Sequence, residues 1–222
     1  MTFGKMGATT MMYHGILPAG ARWVEYLENT DNSYIDTGVY GDSDLDYEIT
    51  FSSVTNTSSY PYAFGSQISD SEARFSLMFG GPWNGITSVY LNNGNNEKTV
   101  SFSPMPSMLT VEKTKLNYYF DGVLKGSFTN NTYITPSSIL LFACNGNDSV
   151  KTGQRMHGKI HSLKFSRNSV IIRDFHPIAI GTTGYMLDLL TGEYLQYGNK
   201  GTGDFVIGPD ISAPAIGGGV IS

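Results

Sequence analysis

Cysteine and long apolar segments are the two features that this sequence of 222 residues most clearly lacks. Cys144 is its single cysteine, which excludes an internal disulfide and a cysteine metal knuckle, and we expect a small buried apolar side chain there. The longest apolar run, 139–144, is far too short to span a bilayer, so we expect no membrane span. Residues 1–21 lack the continuous apolar stretch of a secretory signal, so we expect no cleaved leader.

Charged residues are also scarce. Asp, Glu, Lys and Arg make up 15% of the chain, and the net charge is −5. A nucleic-acid binder needs clustered lysine and arginine for phosphate contacts, so this composition argues against that class of partner. The sequence contains no run of Ala, Leu, Glu and Lys of the kind that favours a long helix.

Short alternating segments separated by turn residues are what the sequence has in quantity. In residues 44–51 apolar and polar side chains alternate, which is typical of a strand with one buried and one wet face. Asp121-Gly122 suits the two positive φ angles of a type I′ hairpin turn, and apolar residues on both faces of that hairpin predict packing on two sides. Further turns are predicted at 167–169 and 191–192. About a dozen such strands predict an all-β fold, namely a β-sandwich.

The patterned region extends from residue 22 to residue 210, and we expect it to form one domain. Residues 1–21 show no periodicity and are expected to form an N-terminal arm, either anchoring or disordered. Residues 211–222 are apolar and rich in glycine and are expected to form a tail. Such ends suggest segments that become ordered against a partner, with plain disorder as the alternative.

Residues 198–205, "GNKGTGDF", resemble a phosphate-binding loop at first sight. A Walker loop requires a Gly-Lys-Ser/Thr sequence with a helix after it, and a dinucleotide fingerprint also opens a helix. Here Lys200 precedes Gly201, and a predicted strand follows. The pattern therefore indicates a glycine-rich turn between strands.

Asp44, Asp46 and Glu48 are spaced to lie on one face of a strand. Laminarinase-type glycoside hydrolases use three carboxylates on one strand face, and a closely spaced pair suits a retaining mechanism. The order here is Asp-Asp-Glu, with no tryptophan nearby for a sugar subsite. A solvated outer strand face explains the same residues, so we expect no enzymatic activity.

His157 and His161 are four residues apart, which on a helix would suggest zinc. The alternation around them indicates a strand, where the two would be about 13 Å apart. No cysteine or carboxylate in the sequence completes a zinc site with them.

Two polar loops are candidates for contact with a glycan. Trp83 is flanked by glycine, proline and asparagine, and a tryptophan on a loop can stack on the apolar face of a sugar ring. The second loop contains oxygen ligands that could bind a glycan or Ca²⁺, although no calcium-loop pattern is present and no cofactor is expected. An ordinary solvated turn is the alternative for both loops. The candidate residues are Trp83, Asn84, Tyr90, Asn92, Asn145, Asn147 and Asp148.

Taken in order, several sequence blocks resemble the LamG-type, concanavalin A-like module, in the version found in structural proteins of phages and prophages of gut bacteria. The resemblance covers about residues 22–210. It implies a two-sheet antiparallel jelly-roll β-sandwich with a role in adhesion, decoration or glycan recognition. The blocks are "RWVEYLENTDNSYIDTGV", "AFGSQ", "YYFDGVLKGSF", "LLFACNGN", "GKIHSLKF", "IIRDFHPI", "GYMLDLLTGEYL" and "GNKGTGDFVIGPD".

From this resemblance we expect a non-enzymatic phage virion protein, a capsid-decoration, head-fibre or tail-associated subunit displayed on the virion surface. Residues 1–21, and also 211–222, would contact other virion proteins, and exposed loops would contact cell-surface or mucus glycans. A homo-oligomer is expected from that role. The alternatives are a bacterial surface carbohydrate-binding module and, third, a laminarinase-like glycoside hydrolase that uses Asp44, Asp46 and Glu48.

Overall fold

A computed structural model describes residues 17–55, 60–69, 72–80, 86–146, 149–151, 153–195 and 204–213. These residues form an all-β structure with two large sheets and no helix, which confirms the predicted β-sandwich. The described part of the chain accordingly holds no helix long and apolar enough to cross a membrane.

The first sheet is the larger of the two and has the strand order β11-β10-β9-β4-β15-β16-β17-β18, with β1 paired to β16, β2 to β15 and β19 to β2. Its strand pairs are antiparallel, as in a sheet built from hairpins and short connections. The strands are β1 (Ala21–Trp23), β2 (Leu27–Asn29), β4 (Leu45–Thr55), β9 (Met108–Thr114), β10 (Asn117–Phe120), β11 (Val123–Ser127), β15 (His157–Arg167), β16 (Val170–Ile180), β17 (Thr183–Asp188), β18 (Tyr194–Leu195) and β19 (Val206–Ile207).

The second sheet has the order β8-β7-β6-β5, after which both β12 and β13 lie beside β5 and β3 lies beside β12. Its pairs are antiparallel except β13 with β5, which is parallel. The strands are β3 (Ile35–Asp42), β5 (Tyr62–Gln67), β6 (Arg74–Gly80), β7 (Ser88–Gly94), β8 (Asn96–Ser101), β12 (Ile134–Leu141), β13 (Asn145–Gly146) and β14 (Ser149–Val150).

The core lies between the two sheets and is rich in aromatic side chains. On β4 the alternating residues Leu45, Tyr47, Ile49 and Phe51 are all buried, as their spacing predicts. Tyr47 meets Phe64 of the second sheet with ring centroids 4.8 Å apart. Such edge-on ring contacts join the two inner faces into one hydrophobic cluster.

The predicted turns are confirmed where the structure describes them. Asp121 and Gly122 have φ angles of 48° and 74°, the two positive values that a type I′ turn requires. Asn168 and Ser169 form a second turn of this kind, with φ angles of 50° and 65°. Gly192 has a φ of 74° in the turn between β17 and β18.

The prediction that the β10–β11 hairpin packs on both sides is wrong. Val123 and Leu124 are 57% and 55% exposed. The reason is the position of β11, which is the last strand of the first sheet and pairs with β10 alone. The core cluster extends to β10 through Tyr118 and Phe120 but includes no residue of β11, so Val123 and Leu124 stay in solvent.

The ends of the predicted domain lie close together. Leu17 and Trp23 both pack against a small buried cluster on β16 and β17 and the turn that follows, and β1 begins at Ala21. At the other end the predicted strand after the glycine-rich segment is confirmed as β19, and Phe205 is buried just before it. Residues 1–16 of the predicted arm, 214–222 of the predicted tail and 196–203, which hold most of "GNKGTGDF", lie outside the described residues.

Candidate functional site: a cleft beside Trp23

A cleft of about 230 Å³ lies on the outer face of the first sheet. Strand β1 and the residues just after it form one wall, and neighbouring parts of β15 and β16 form the floor. The lining residues are Trp23, Val24, Glu25, His161, Ser162, His176, Pro177 and Ile211. This set combines one large aromatic ring with a carboxylate, two imidazoles and a hydroxyl, which is the composition of a small-molecule site.

A β-bulge in β15 places two polar residues in the cleft. Ile160 pairs with Phe51 and Ser162 pairs with Thr50, so β15 has one more residue than β4 at this point, and that residue is His161. Ile160 and Leu163 on either side remain fully buried. The extra residue therefore allows His161 and Ser162 to face the cleft together, where regular alternation would turn one of them inward.

The segment around Asp210 lies beside the first wall and contributes Ile211 to the lining. Val24 and Asp210 form an isolated antiparallel bridge, and the Ile211 N–H donates to the Trp23 carbonyl at 3.1 Å. Arg22 Nε is 2.7 Å from Asp210 Oδ1, and this ion pair joins the two segments at the protein surface. Ile211, which the sequence assigned to the tail, is thus part of the cleft wall.

His161 is held on two sides. Its Nε2 is 2.7 Å from Ser52 Oγ, and the ring also hydrogen bonds to the backbone of Glu25. A bond to a backbone carbonyl requires the imidazole to be the donor, so in the neutral ring Nε2 accepts the Ser52 hydroxyl proton. Burial lowers the pKa of His161 below its usual value, against the raising effect of the nearby Glu25 carboxylate. His161 is therefore neutral at pH 7.

This lowered pKa predicts that stability falls in mild acid. The unfolded chain takes up a proton at about pH 6.5, whereas folded His161 does so at lower pH, so the free energy of unfolding decreases as the pH falls from 6.5 through the folded pKa. His161→Gln removes this contribution. Urea unfolding at pH 7.5 and pH 5 should show a smaller pH-dependent loss for the variant; equal losses for both proteins would contradict the prediction.

His176 links the floor of the cleft to Trp23. Its ring centroid lies 6.5 Å from that of Trp23, with the planes at 88°. His176 Nε2 is 3.0 Å from Asp174 Oδ1 on the same strand. An ionised carboxylate can only accept, so Nε2 carries the proton and Nδ1 of the neutral ring is an acceptor.

The structure describes three of the seven predicted glycan-binding residues. Tyr90 lies on β7, packs against the cluster formed by Tyr62, Met78 and Cys144, and meets the half-exposed Tyr60 with ring centroids 5.5 Å apart. Cys144 is buried, as predicted. The other four candidates, Trp83, Asn84, Asn147 and Asp148, lie outside the described residues.

Asn92 and Asn145 are both buried in the second sheet. Asn92 is 1% exposed and donates from Nδ2 to Ser76 Oγ at 3.2 Å. Asn145 is 8% exposed and donates from Nδ2 to the Ser138 carbonyl at 3.2 Å. The amide oxygens of both residues have no hydrogen-bond partner. Both side chains face protein, so the sequence correctly indicates polar groups here but not their burial.

The carboxylates of residues 44–48 do not form a shared solvated face. Asp44 precedes β4 and lies exposed in a turn. Asp46 is buried and accepts from Lys113 Nζ at 3.2 Å and from the Lys115 backbone N–H at 2.6 Å. Glu48 is paired with Lys164 at 3.3 Å. Each carboxylate on the strand is held by a lysine of a neighbouring strand, so the predicted wet face is wrong at Asp46.

His157 and His161 both lie on β15, as the alternation predicts. Among the described residues no group of three or more histidine, cysteine or acidic side chains is placed to hold a metal ion.

Sequence reasoning missed the cleft because its walls come from both ends of the chain. A local signal did exist, since Trp23 and Glu25 are two residues apart, a spacing that places two side chains on one face of an extended chain. The bulge at His161 and the return of Ile211 to Trp23 depend on long-range pairing, which no local pattern shows.

Comparison of the chain with protein-family models found no matching family, and comparison with curated proteins found no match. The structure is thus an all-β, two-sheet sandwich with a small cleft, lined by aromatic and polar side chains, on the first sheet.

Proposed function

We propose that this protein is a non-enzymatic adhesion module that binds glycans through the Trp23 cleft. The observation that carries the proposal is the position of Trp23 on one wall, with Glu25, Ser162 and His176 around it. An indole ring packs on the C–H face of a pyranose while neighbouring polar groups bond the hydroxyls. A cleft of about 230 Å³ suits one sugar ring or the end of a chain.

The wider role that we propose is display on the surface of a phage virion. The support is the resemblance to LamG-type, concanavalin A-like modules of phage structural proteins, together with the sandwich fold. In this proposal the sandwich is a jelly roll, residues 1–21 and 211–222 contact other virion proteins, and the protein is a homo-oligomer. Many copies on one particle convert weak contacts with single sugars into useful avidity.

Removing the indole ring should abolish glycan binding. Trp23→Ala is expected to weaken binding on a glycan array by at least about tenfold, because stacking and burial of the ring are lost. Trp23→Phe should retain part of the binding. Tyr40→Ala, which removes a ring 48% exposed on the second sheet, is the matched control and should bind normally. Normal binding by Trp23→Ala at unchanged thermal stability would contradict the proposal.

The loop of Trp83, which the sequence predicts to contact glycans, is the alternative site for the same function. If Trp83→Ala loses binding while Trp23→Ala retains it, the glycan contacts belong to the loop of Trp83. This result would support the adhesion role and assign glycan binding to that loop.

Mass spectrometry of purified virions tests the proposed location. Presence of the chain at a defined copy number supports the virion role. Absence from particles combined with intact glycan binding would favour a bacterial surface carbohydrate-binding module. Glycan cleavage that survives Trp23→Ala but is lost in Glu48→Gln would favour a hydrolase.

A further inference from the structure

We propose that the Trp23 cleft selects uncharged hexopyranoses and excludes sugars that carry a carboxylate. This inference rests on the proposed function, since it assigns the ligand class of the same cleft. It is carried by the charges and hydrogen-bonding groups that the lining residues present.

The charge that faces the cleft is negative. Glu25 lines it directly, and no lysine or arginine is among its described lining residues. His161, whose ring hydrogen bonds to the Glu25 backbone, is neutral because burial lowers its pKa. A ligand carboxylate would therefore approach Glu25 with no lysine or arginine in the lining to offset the repulsion.

Two neighbouring cations, Lys159 and Arg22, are already engaged. Lys159 Nζ lies over the Tyr26 ring, 4.1 Å from its centroid, and interacts with the carboxylates of Glu28 and Glu25. Arg22 bonds Asp210 Oδ1 and the Gly181 carbonyl. Recruiting either one to a ligand would break these contacts, so neither is a ready partner for an anion.

The hydrogen-bonding groups of the cleft are mostly acceptors. Glu25 is acceptor-only when ionised, and Nδ1 of a neutral His176 ring is an acceptor because Nε2 is bound to Asp174. The Ser162 hydroxyl can donate or accept. Sugar hydroxyls supply the donors that these groups need, whereas a carboxylate supplies none.

Matched pairs of sugars that differ only at C6 give a sharp test. Binding of glucose and glucuronate, and of galactose and galacturonate, to the full chain is measured by NMR titration at pH 7.5. We expect at least one neutral sugar to bind and its uronate to bind at least about tenfold more weakly. In Glu25→Gln the amide can donate, so the uronate should approach the neutral sugar to within about threefold.

Glu28→Gln is the control, because Glu28 lies on the neighbouring strand β2, outside the cleft lining, and also interacts with Lys159. It should leave the preference of the parent protein unchanged. Equal binding of a uronate and its neutral partner by the parent protein would overturn this inference and leave the proposed function standing. An unchanged preference in Glu25→Gln would also overturn it. If neither class of sugar binds, the proposed function itself fails.

Discussion

Asp46→Ala should lower the free energy of unfolding by about 3–5 kcal/mol, because it leaves a buried lysine without its counter-charge. Lys113 is 1% exposed, and its ammonium donates to Asp46 Oδ1 at 3.2 Å and to the Leu45 carbonyl at 2.7 Å. Burial lowers the pKa of Lys113, and the charge of Asp46 makes the largest contribution that raises this pKa. Without Asp46 the lysine must stay charged in the interior or lose its proton, and both cost stability.

Asp46 also organises the turn after β9. Its Oδ1 accepts from the backbone N–H of Lys115, a residue with a φ of 56°. Asp46→Asn can keep an acceptor at this position while removing the charge. We therefore expect it to lie between the parent protein and Asp46→Ala in urea unfolding, which separates the charge effect from the turn effect.

Glu48→Ala is the matched control for Asp46→Ala. It lies two residues further along β4 and also pairs with a lysine, but its side chain is 43% exposed and that of Lys164 is 31% exposed. An exposed pair of this kind contributes about 0–1 kcal/mol. A loss for Asp46→Ala no larger than that for Glu48→Ala would show that the burial of Lys113 does not control stability here.

These two carboxylates illustrate how far alternation predicts structure. The pattern of residues 44–51 gave the strand and its buried face, because both depend on neighbours along the chain. It could not show that Lys113 reaches Asp46 from 67 positions away, which depends on the pairing of β4 with β9. Spacing alone therefore placed three carboxylates on a wet face, whereas the structure buries one of them.

Turns were the other feature that the sequence predicted well. Positive φ angles at Asp121, Gly122 and Asn168 follow from residue type, since Gly, Asn and Asp tolerate this region of φ/ψ space. Whether a hairpin then lies inside a sheet or at its edge is a property of the whole topology. This is why the turn at Asp121-Gly122 is confirmed and the predicted burial of Leu124 is wrong.

In the candidate site, too, one part is visible in the sequence and the other depends on the topology of the fold. An aromatic and acidic pair two residues apart, Trp23 and Glu25, was visible in the sequence, but the residues that meet them in the cleft were not. His161 reaches the cleft through a bulge, and Ile211 reaches it through a hydrogen bond that spans 188 positions, from Ile211 to Trp23. Both features depend on which strands pair and in which register, and residue type does not determine either.

Phe64→Ala should also lower the free energy of unfolding by about 3–5 kcal/mol, because it opens a cavity where the two sheets meet. Phe64 is fully buried on β5 of the second sheet, and its ring contacts Tyr47 and Phe165 of the first sheet at centroid distances of 4.8 and 6.2 Å. Leu124→Ala, on the exposed edge strand β11, is the control and should change stability by no more than about 0.5 kcal/mol.

Comparing Phe64→Ala with Leu124→Ala distinguishes the contribution of the sandwich core to stability from that of its edge. If Phe64→Ala unfolds in urea at the parent midpoint, the aromatic contacts between the sheets are not what holds the two layers together. If it loses stability as expected but still binds sugar when folded, the inter-sheet core and the outer-face cleft are independent. We expect this second result, because Phe64 lies in the core between the sheets and Val24 is the one lining residue of the cleft that belongs to the same core cluster.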